Sequence, residues 1–541
     1  MITFDSAPTI YWLLGYILAG MVVMSAYTKK IPTSLFILLG LTLFVAMRLP
    51  VVVFNRELNP DESQMISHAI TLLQDPVYWR SVDGTTIGPL DNYFLTLPGL
   101  LGFSIDFTAA RLMGMLANIF SLFFLFLALK KWFSIRLAKI VWTLPLFFLA
   151  FTQELDWVHY SSEQVPVMLL SVCLWLFAKQ HTQQKSGSAS FYALGFVAGM
   201  IPFAKLQAVP PALVLGAGAI WLCVGIFRHQ HNLKPLIALI GGALTFPIMV
   251  AAWAFHFQVM PDLIDFYLLG NVIYAGGNER NIFAQITNIV SLSPDFQAYL
   301  LLLAIPVALF FFGVTRPNSY RRNAHTAVRD STLLITLILL LLVSIYAITK
   351  SGNDFVHYLN FLLFPLLLLA AWGLSPFEKY AYIFPLGLLA WFLLMDAQDY
   401  RSMHRLNHYD SVGRRTLGQS PVVQALKKYT KKDDYMAVWG WQCLYYVEAQ
   451  LAQGTAENHS ERSIFLHDMR DAYRARYMKD LARTQPAIIL DAVGKNSAWV
   501  QDVDTQGIHS FRQLGEYVNA HYTDLGLFDG TRLYVRNDRL K

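Results

Sequence analysis

A chain of 541 residues that is 55% hydrophobic and 14% aromatic but only 14% charged, with a mean hydropathy of +0.41, is too apolar for a soluble globular protein, which carries roughly a quarter charged residues. The net charge of +6 excludes little, because in a membrane protein the side that holds the positive residues matters more than their sum. Three cysteines, Cys173, Cys223 and Cys443, are too few and too scattered for a disulfide framework or a zinc site.

In chain order, about twelve apolar runs approach the ~20 residues of a spanning helix. They cover roughly 10–27, 34–54, 108–129, 140–157, 163–180, 191–204, 207–227, 235–256, 298–314, 331–349, 357–374 and 380–396. The first run lacks a basic flank before it and a small-residue cleavage site after it, so no cleavable signal peptide is expected. The loops alternate in character. One set is short and basic: Lys29 and Lys30; Lys130, Lys131, Arg136 and Lys139; Lys179 and Lys185; Arg228 and Lys234; Arg316, Arg321, Arg322 and Arg329. By the positive-inside rule these face the cytoplasm. The other set, 55–107, 156–162, 257–297, 350–356 and everything after about 397, then faces outward with both termini.

The outward set gathers the unusual polar residues, in "NPDESQ" (59–64), "DWVHYSSEQ" (156–164), "PDLIDFYLLGNVIYAGGNER" (261–280) and "KSGNDFVHYLN" (350–360). From Asp61 on, Met65, Ile66, Ala69, Ile70 and Leu73 recur at helical spacing, with Ser67, His68 and Thr71 on other faces. That pattern predicts an amphipathic helix lying along the interface. Asp61 fits its N-cap, with Gln64 completing a capping box and Glu62 complementing the helix dipole. A capped helix start is equally a rigid mount for a catalytic acid, so both readings stand. The following "YWRSVDGTTIGPLDNYFLTLPGLLG" (78–102) combines a Gly-Pro turn with an aromatic-rich stretch, too apolar for a disordered linker.

Further along, His159 and Glu163 in "HYSSEQ" are four apart and share a face if that turn is helical. With Tyr160 they bind sugar hydroxyls or the acceptor, or simply meet water at the end of a span. Lys205, in "IPFAKLQAVPP", sits at the outer end of a span, where an ammonium is either functional or snorkelling. Arg80 is a second cation candidate, or a solvated loop arginine. Asn353, Asp354, His357 and Tyr358 divide between donor-sugar contacts and a wet loop end. Asp156 with His159 offers two metal ligands, yet no compact cluster follows a known ligand spacing, so no obligatory metal or other cofactor is expected.

After residue 397 the sequence turns soluble. "YMAVWGW" (435–441) reads as a strand, "CLYYVEAQLAQG" (443–454) as a helix ended by Gly, and "SERSIFLHDMRDAYRARYMKDLART" as mostly helical. "PAIILDAV" (486–493) is a buried strand, and the C-terminus a hairpin turning at Asp529-Gly530. The expected organisation is a membrane catalytic module, 1–396, carrying the first outer loop 55–107, and a small α/β domain, 397–541. The latter holds no chemistry of its own, and by position serves acceptor recognition or packing over the outer loops.

Taken together, an Asp-Glu pair in the first outer loop, an interfacial helix after it, a polytopic bundle and a C-terminal soluble domain resemble the C-type glycosyltransferases. These include the protein O-mannosyltransferases and the aminoarabinose transferases that modify lipid A. "HYSSEQVP", "IPFAKLQAVP" and "NDFVHYLNFLLFPL" are similar to bacterial members, and the likeness runs end to end. The resemblance implies the GT-C fold with about 12 transmembrane helices. It also implies a place in the bacterial inner membrane, with the active site and C-terminal domain facing the periplasm. The implied reaction is inverting transfer from a polyprenyl (undecaprenyl) phosphate sugar to an envelope acceptor: lipopolysaccharide, glycan, lipid or protein. The bilayer is a partner and nucleic acid is not.

Such a displacement needs one carboxylate to take the acceptor's proton and a cation to meet the departing phosphate, not the working pair of a glycosidase. Carried over, Asp61 matches the base and Glu62 a neighbour that orients or binds. Lys205 or Arg80 supplies the cation, and His159, Tyr160, Glu163, Asn353, Asp354, His357 and Tyr358 line the substrates. One departure stands out: lipid A aminoarabinose transferases carry Glu-Lys-Pro in the first loop, where this chain has Gly88-Pro89-Leu90. Two other readings share the substrate class. A flippase for lipid-linked sugars would hold its charges near the midplane within inverted repeats. An O-antigen ligase or polymerase would have its large loop late in the chain.

Overall fold

The computed structural model describes residues 3–28, 30–182, 187–276, 280–312 and 324–540. Of the basic loop residues, Lys29, Lys185, Arg316, Arg321 and Arg322 lie outside the described residues, as does the side chain of Arg329. Residues 277–279 of the third outward stretch do too.

Chain order runs α1 (Pro8–Tyr27), α2 (Thr33–Val52), α3 (Pro60–Gln74), α4 (Pro89–Leu100), α5 (Phe107–Trp132), α6 (Ile135–Phe151), α7 (Leu155–Val158) and α8 (Gln164–Thr182). Then come α9 (Ser188–Met200), α10 (Val209–Gln230), α11 (Lys234–His256) and α12 (Met260–Asp262). A π-helical stretch, Leu263–Leu269, leads to α13 (Gly270–Gly276) and α14 (Ile282–Ser291). Four long helices follow: α15 (Pro294–Phe311), α16 (Ala324–Thr349), α17 (Asn360–Leu374) and α18 (Ile383–Met403).

Among the described residues nine helices are long and apolar enough to cross a bilayer, which makes this a multi-pass membrane protein. They coincide with nine of the about twelve expected spans. The other three expected spans are helices as well. At 17 and 13 residues, α6 and α9 fall short of the ~20 a crossing takes, while α18 carries Asp396, Asp399 and Arg401.

The chain divides into two compact units. The first comprises Met1–Val51, Gly114–Ala252 and Tyr274–Asp410. At its centre α17 is buried along almost its whole length and packs on α15, α16 and α6. Gly373 permits the close approach to α15, since a Cβ there would strike the Pro306 carbonyl.

The second unit comprises Val52–Met113, Trp253–Ile273 and Ser411–Lys541. Its sheet has five strands, β1 (Tyr435–Trp439), β2 (Ala452–Gln453), β3 (Ile488–Asp491), β4 (Tyr522–Phe528) and β5 (Thr531–Arg536), in the order β2-β1-β3-β5-β4. β1 runs parallel to β2 and β3, while β5 is antiparallel to β3 and β4. Successive side chains of β1 and β3 point to opposite faces, and both faces are covered. Met436, Val438, Ile488 and Leu490 enter one core, and Ala437, Trp439 and Ile489 the other. The expected hairpin is present, with Asp529 and Gly530 both at positive φ, the backbone an Asp-Gly turn adopts. The helix expected over 443–454 is shorter: α19 (Pro421–Leu426) precedes it, and α20 (Leu444–Ala449) ends with Gln450 in the left-handed region, freeing the chain to enter β2. Next come α21 (Glu461–Ile464) and α22 (Arg470–Thr484).

In the same unit α3 packs on α4, β2 and α20. Its polar face is not solvated, as an interfacial helix would have it. The Asn458 amide donates to Ser67 Oγ at 2.6 Å and to the Gln64 carbonyl at 2.8 Å. The Gln453 N–H donates to Thr71 Oγ1 at 2.9 Å, and the Gln64 amide to His459 Nε2 at 3.2 Å. The C-terminal segment therefore supplies the partners that water was expected to supply.

Candidate functional site

The acid pair sits at the start of α3 in the second unit. Asn59 is the N-cap, in extended backbone, and its Oδ1 accepts from the Asp61 N–H at 2.9 Å; Pro60 holds the first helical position. Asp61 is therefore not the cap and Gln64 closes no capping box, because Asn59 has the same capping chemistry two residues earlier. This leaves the Asp61 carboxylate half-buried, with no bond to it among the described residues. Glu62 is the reverse. It is fully buried, and Arg111 donates to both its oxygens, Nε to Oε1 at 2.8 Å and Nη2 to Oε2 at 2.6 Å. Such a bidentate pair is strong and fixes direction. Arg111 also donates to the carbonyls of Phe54 and Arg56, tying the chain entering α3 to the start of α5. Beneath them Ser63 donates to Glu57, whose carboxyl is pushed up to about 7 by burial, with the Glu62 charge adding to the effect against the Ser63 hydrogen bond. Arg80 is held elsewhere in the loop by Asp75, at 2.5 Å.

A second cluster forms in the first unit. Lys205 lies where the helix breaks between α9 and α10, in extended backbone flanked by short 3-10 turns. It is only 3% exposed. Its Nζ donates to Glu163 and, at 2.7 Å, to Ser162 Oγ, and lies 5.1 Å from the centre of the Tyr358 ring. Burial alone would raise the Glu163 carboxyl, but Lys205 and then His357 outweigh it and hold the acid below its usual range. The condition for His159 and Glu163 to share a helix face is not met, because α7 ends at Val158 and α8 begins at Gln164. The two residues meet through the cluster instead. The His159 ring stands edge-on to His357 at 5.6 Å, and His357 Nδ1 is 3.5 Å from Asp156 Oδ1. Tyr160 is buried with them.

Asn353 and Asp354 belong to a neighbouring group. The Asn353 amide donates to the Tyr274 hydroxyl at 2.5 Å, and Asp354 accepts from Arg280 at 3.0 Å and Gln285 at 2.6 Å. Sequence reasoning missed Arg111, Ser162 and Gln285. Arg111 alone left a signal, a lone arginine at the head of an apolar run.

No family model matches the chain, and no curated protein matches it in sequence. Solved structures do. ArnT from Cupriavidus metallidurans bound to undecaprenyl phosphate matches with a TM-score of 0.57 at 12% identity, over 93% of this chain and 98% of that one. The same protein in the apo state gives a TM-score of 0.41 at 13% identity, over 91% and 97% of the two chains. The Archaeoglobus fulgidus oligosaccharyltransferase tethered with an acceptor peptide gives 0.39 at 12% identity, over 92% of this chain and 74% of that one. The chain has the GT-C fold. Its particular likeness, the first of these, is to ArnT, the lipid A aminoarabinose transferase.

Proposed function

We propose that this protein is an inverting glycosyltransferase that moves a sugar from a polyprenyl phosphate carrier to an envelope acceptor, on the periplasmic side of a bacterial inner membrane. The observation that carries the reading is the contrast within the acid pair. A general base must have a carboxylate free to take a proton, held on a rigid mount. Asp61 is half-buried on a capped helix with no bond to its oxygens among the described residues, while Glu62 is spent on Arg111. Asp61 takes the proton of the acceptor's hydroxyl or amine as that group attacks the anomeric carbon. The bond from that carbon to the phosphate breaks, and its electron pair leaves with the polyprenyl phosphate. Glu62 acts through Arg111 as a positioning residue.

Lys205 is the cation proposed for the phosphate, with Glu163 as its counter-ion at rest. The first unit also contains a small apolar cavity lined by Val167, Leu174, Leu215, Leu340, Phe361 and Phe364. Purified protein given a labelled polyprenyl phosphate sugar should release polyprenyl phosphate, which a flippase does not. Asp61→Asn should lower that release by about 10²–10⁴-fold, the contribution of a general base, with an unchanged melting temperature. Near wild-type turnover in the variant would overturn the assignment.

A further inference from the structure

We infer that Asp156, His159 and His357 form a binding site for one divalent transition-metal ion of the zinc class, which joins the end of α7 to the turn that precedes α17. The inference does not rest on the glycosyltransferase reading. One ligand atom from each of the three residues lies within 4.8 Å of the other two, and both imidazoles are buried.

The tautomer of His159 is the strongest observation. Its Nδ1 stands 2.8 Å from the Leu155 carbonyl oxygen, which can only accept, so Nδ1 carries a proton and, in the neutral ring, the lone pair is on Nε2. That Nε2 is buried and has no hydrogen-bond partner among the described residues, a cost a folded protein rarely bears without a reason. An imidazole whose other N–H is committed to a backbone carbonyl is how proteins present a histidine to a metal.

The one ligand-pair distance and the ring spacing come close to those of a shared ion. With bonds of about 2.0–2.1 Å and a tetrahedral angle, two ligand atoms on zinc lie about 3.3 Å apart, and two imidazole centroids about 5 Å apart. His357 Nδ1 and Asp156 Oδ1 are 3.5 Å apart, long for a hydrogen bond but close to that edge. The two imidazole centroids are 5.6 Å apart. Two imidazoles and one carboxylate suit zinc, whereas magnesium and calcium take oxygen donors. Near by, Glu163 Oε2 is a second buried acceptor without a hydrogen-bond partner among the described residues. Sequence spacing hides the site because His357 lies 201 residues beyond Asp156.

The test uses the full chain in detergent, stripped with a chelator and titrated with zinc alone. The expected result is one zinc per chain, retained through gel filtration and not displaced by magnesium. His159→Gln, His357→Gln and Asp156→Asn should each weaken zinc binding by at least the about 10–100-fold that loss of a mere supporting contact costs. Asp61→Asn should bind zinc as the wild type does, which separates this site from the proposed catalysis. Cobalt added to the stripped wild type should show the intense visible absorption of a four-coordinate, histidine-held ion, a readout that needs no variant to fold. No stoichiometric zinc, a weak six-coordinate cobalt spectrum, or both histidine variants binding like the wild type would each overturn the inference.

Discussion

Asp61 and Glu62 are chain neighbours with opposite circumstances, because consecutive positions on a helix point about 100° apart. Glu62 turns inward, where Arg111 meets it with two hydrogen bonds; the Arg111 side chain is itself 1% exposed. Glu62→Ala therefore strands a buried guanidinium among carbonyl acceptors. Removing one partner of such a pair costs about 3–5 kcal/mol, so the melting temperature should fall well below wild type. Asp61→Ala removes only a first-turn acid and should cost no more than about 1 kcal/mol. Equal thermal shifts for the two variants would refute this division of labour. The acid pair itself was legible in the sequence, since it stands out in an apolar chain. Which of the two is spent was not, because Arg111 lies 49 residues away from Glu62.

At the scale of elements, long periodic helices were legible, and so were the strands and the Asp-Gly hairpin. What escaped was long-range pairing. The periodicity of α3 is real, but its polar face reads as solvated when its partners, Gln453 and Asn458, stand more than 380 residues on. Beside that contact lies a buried charged group: α22 carries Arg476, which pairs with Asp83 and lies over the Phe266 ring at 3.6 Å. Glu457 shares this pocket and is pushed up from 4.5 to about 8, by burial first and by the Asp83 charge, against the pull of Arg476. The native state thus prefers Glu457 protonated. Its contribution to stability is complete below pH 4.5 and is lost as pH rises through about 8. Glu457→Gln keeps the shape and removes the titration. Melting followed from about pH 5 to about pH 9 should show the wild type losing stability more steeply than the variant up to about pH 8, and in parallel with it above. Identical slopes would show that Glu457 is not the titrating group.

At the scale of the molecule, the second unit brings together three stretches far apart in the sequence. A contact of the first loop with the C-terminal segment is a structural bond, not an accessory one, and this bears on what the segment does. In a chain ending at residue 410, Gln64, Ser67 and Thr71 lose His459, Asn458 and Gln453, and Asp83 loses Arg476. Without that cover α3 exposes to water a face that the folded unit keeps dry, and Asp83 loses the guanidinium paired with it. Truncation should therefore do more than alter acceptor choice. It should abolish release of polyprenyl phosphate with every acceptor and open the loop around α3 and α4 to proteolysis, because the helix that mounts Asp61 loses its cover. If the shortened chain kept its turnover and a protease-resistant first loop, the C-terminal segment would be a separable recognition domain, and the mount of Asp61 would have to be sought within the first loop alone.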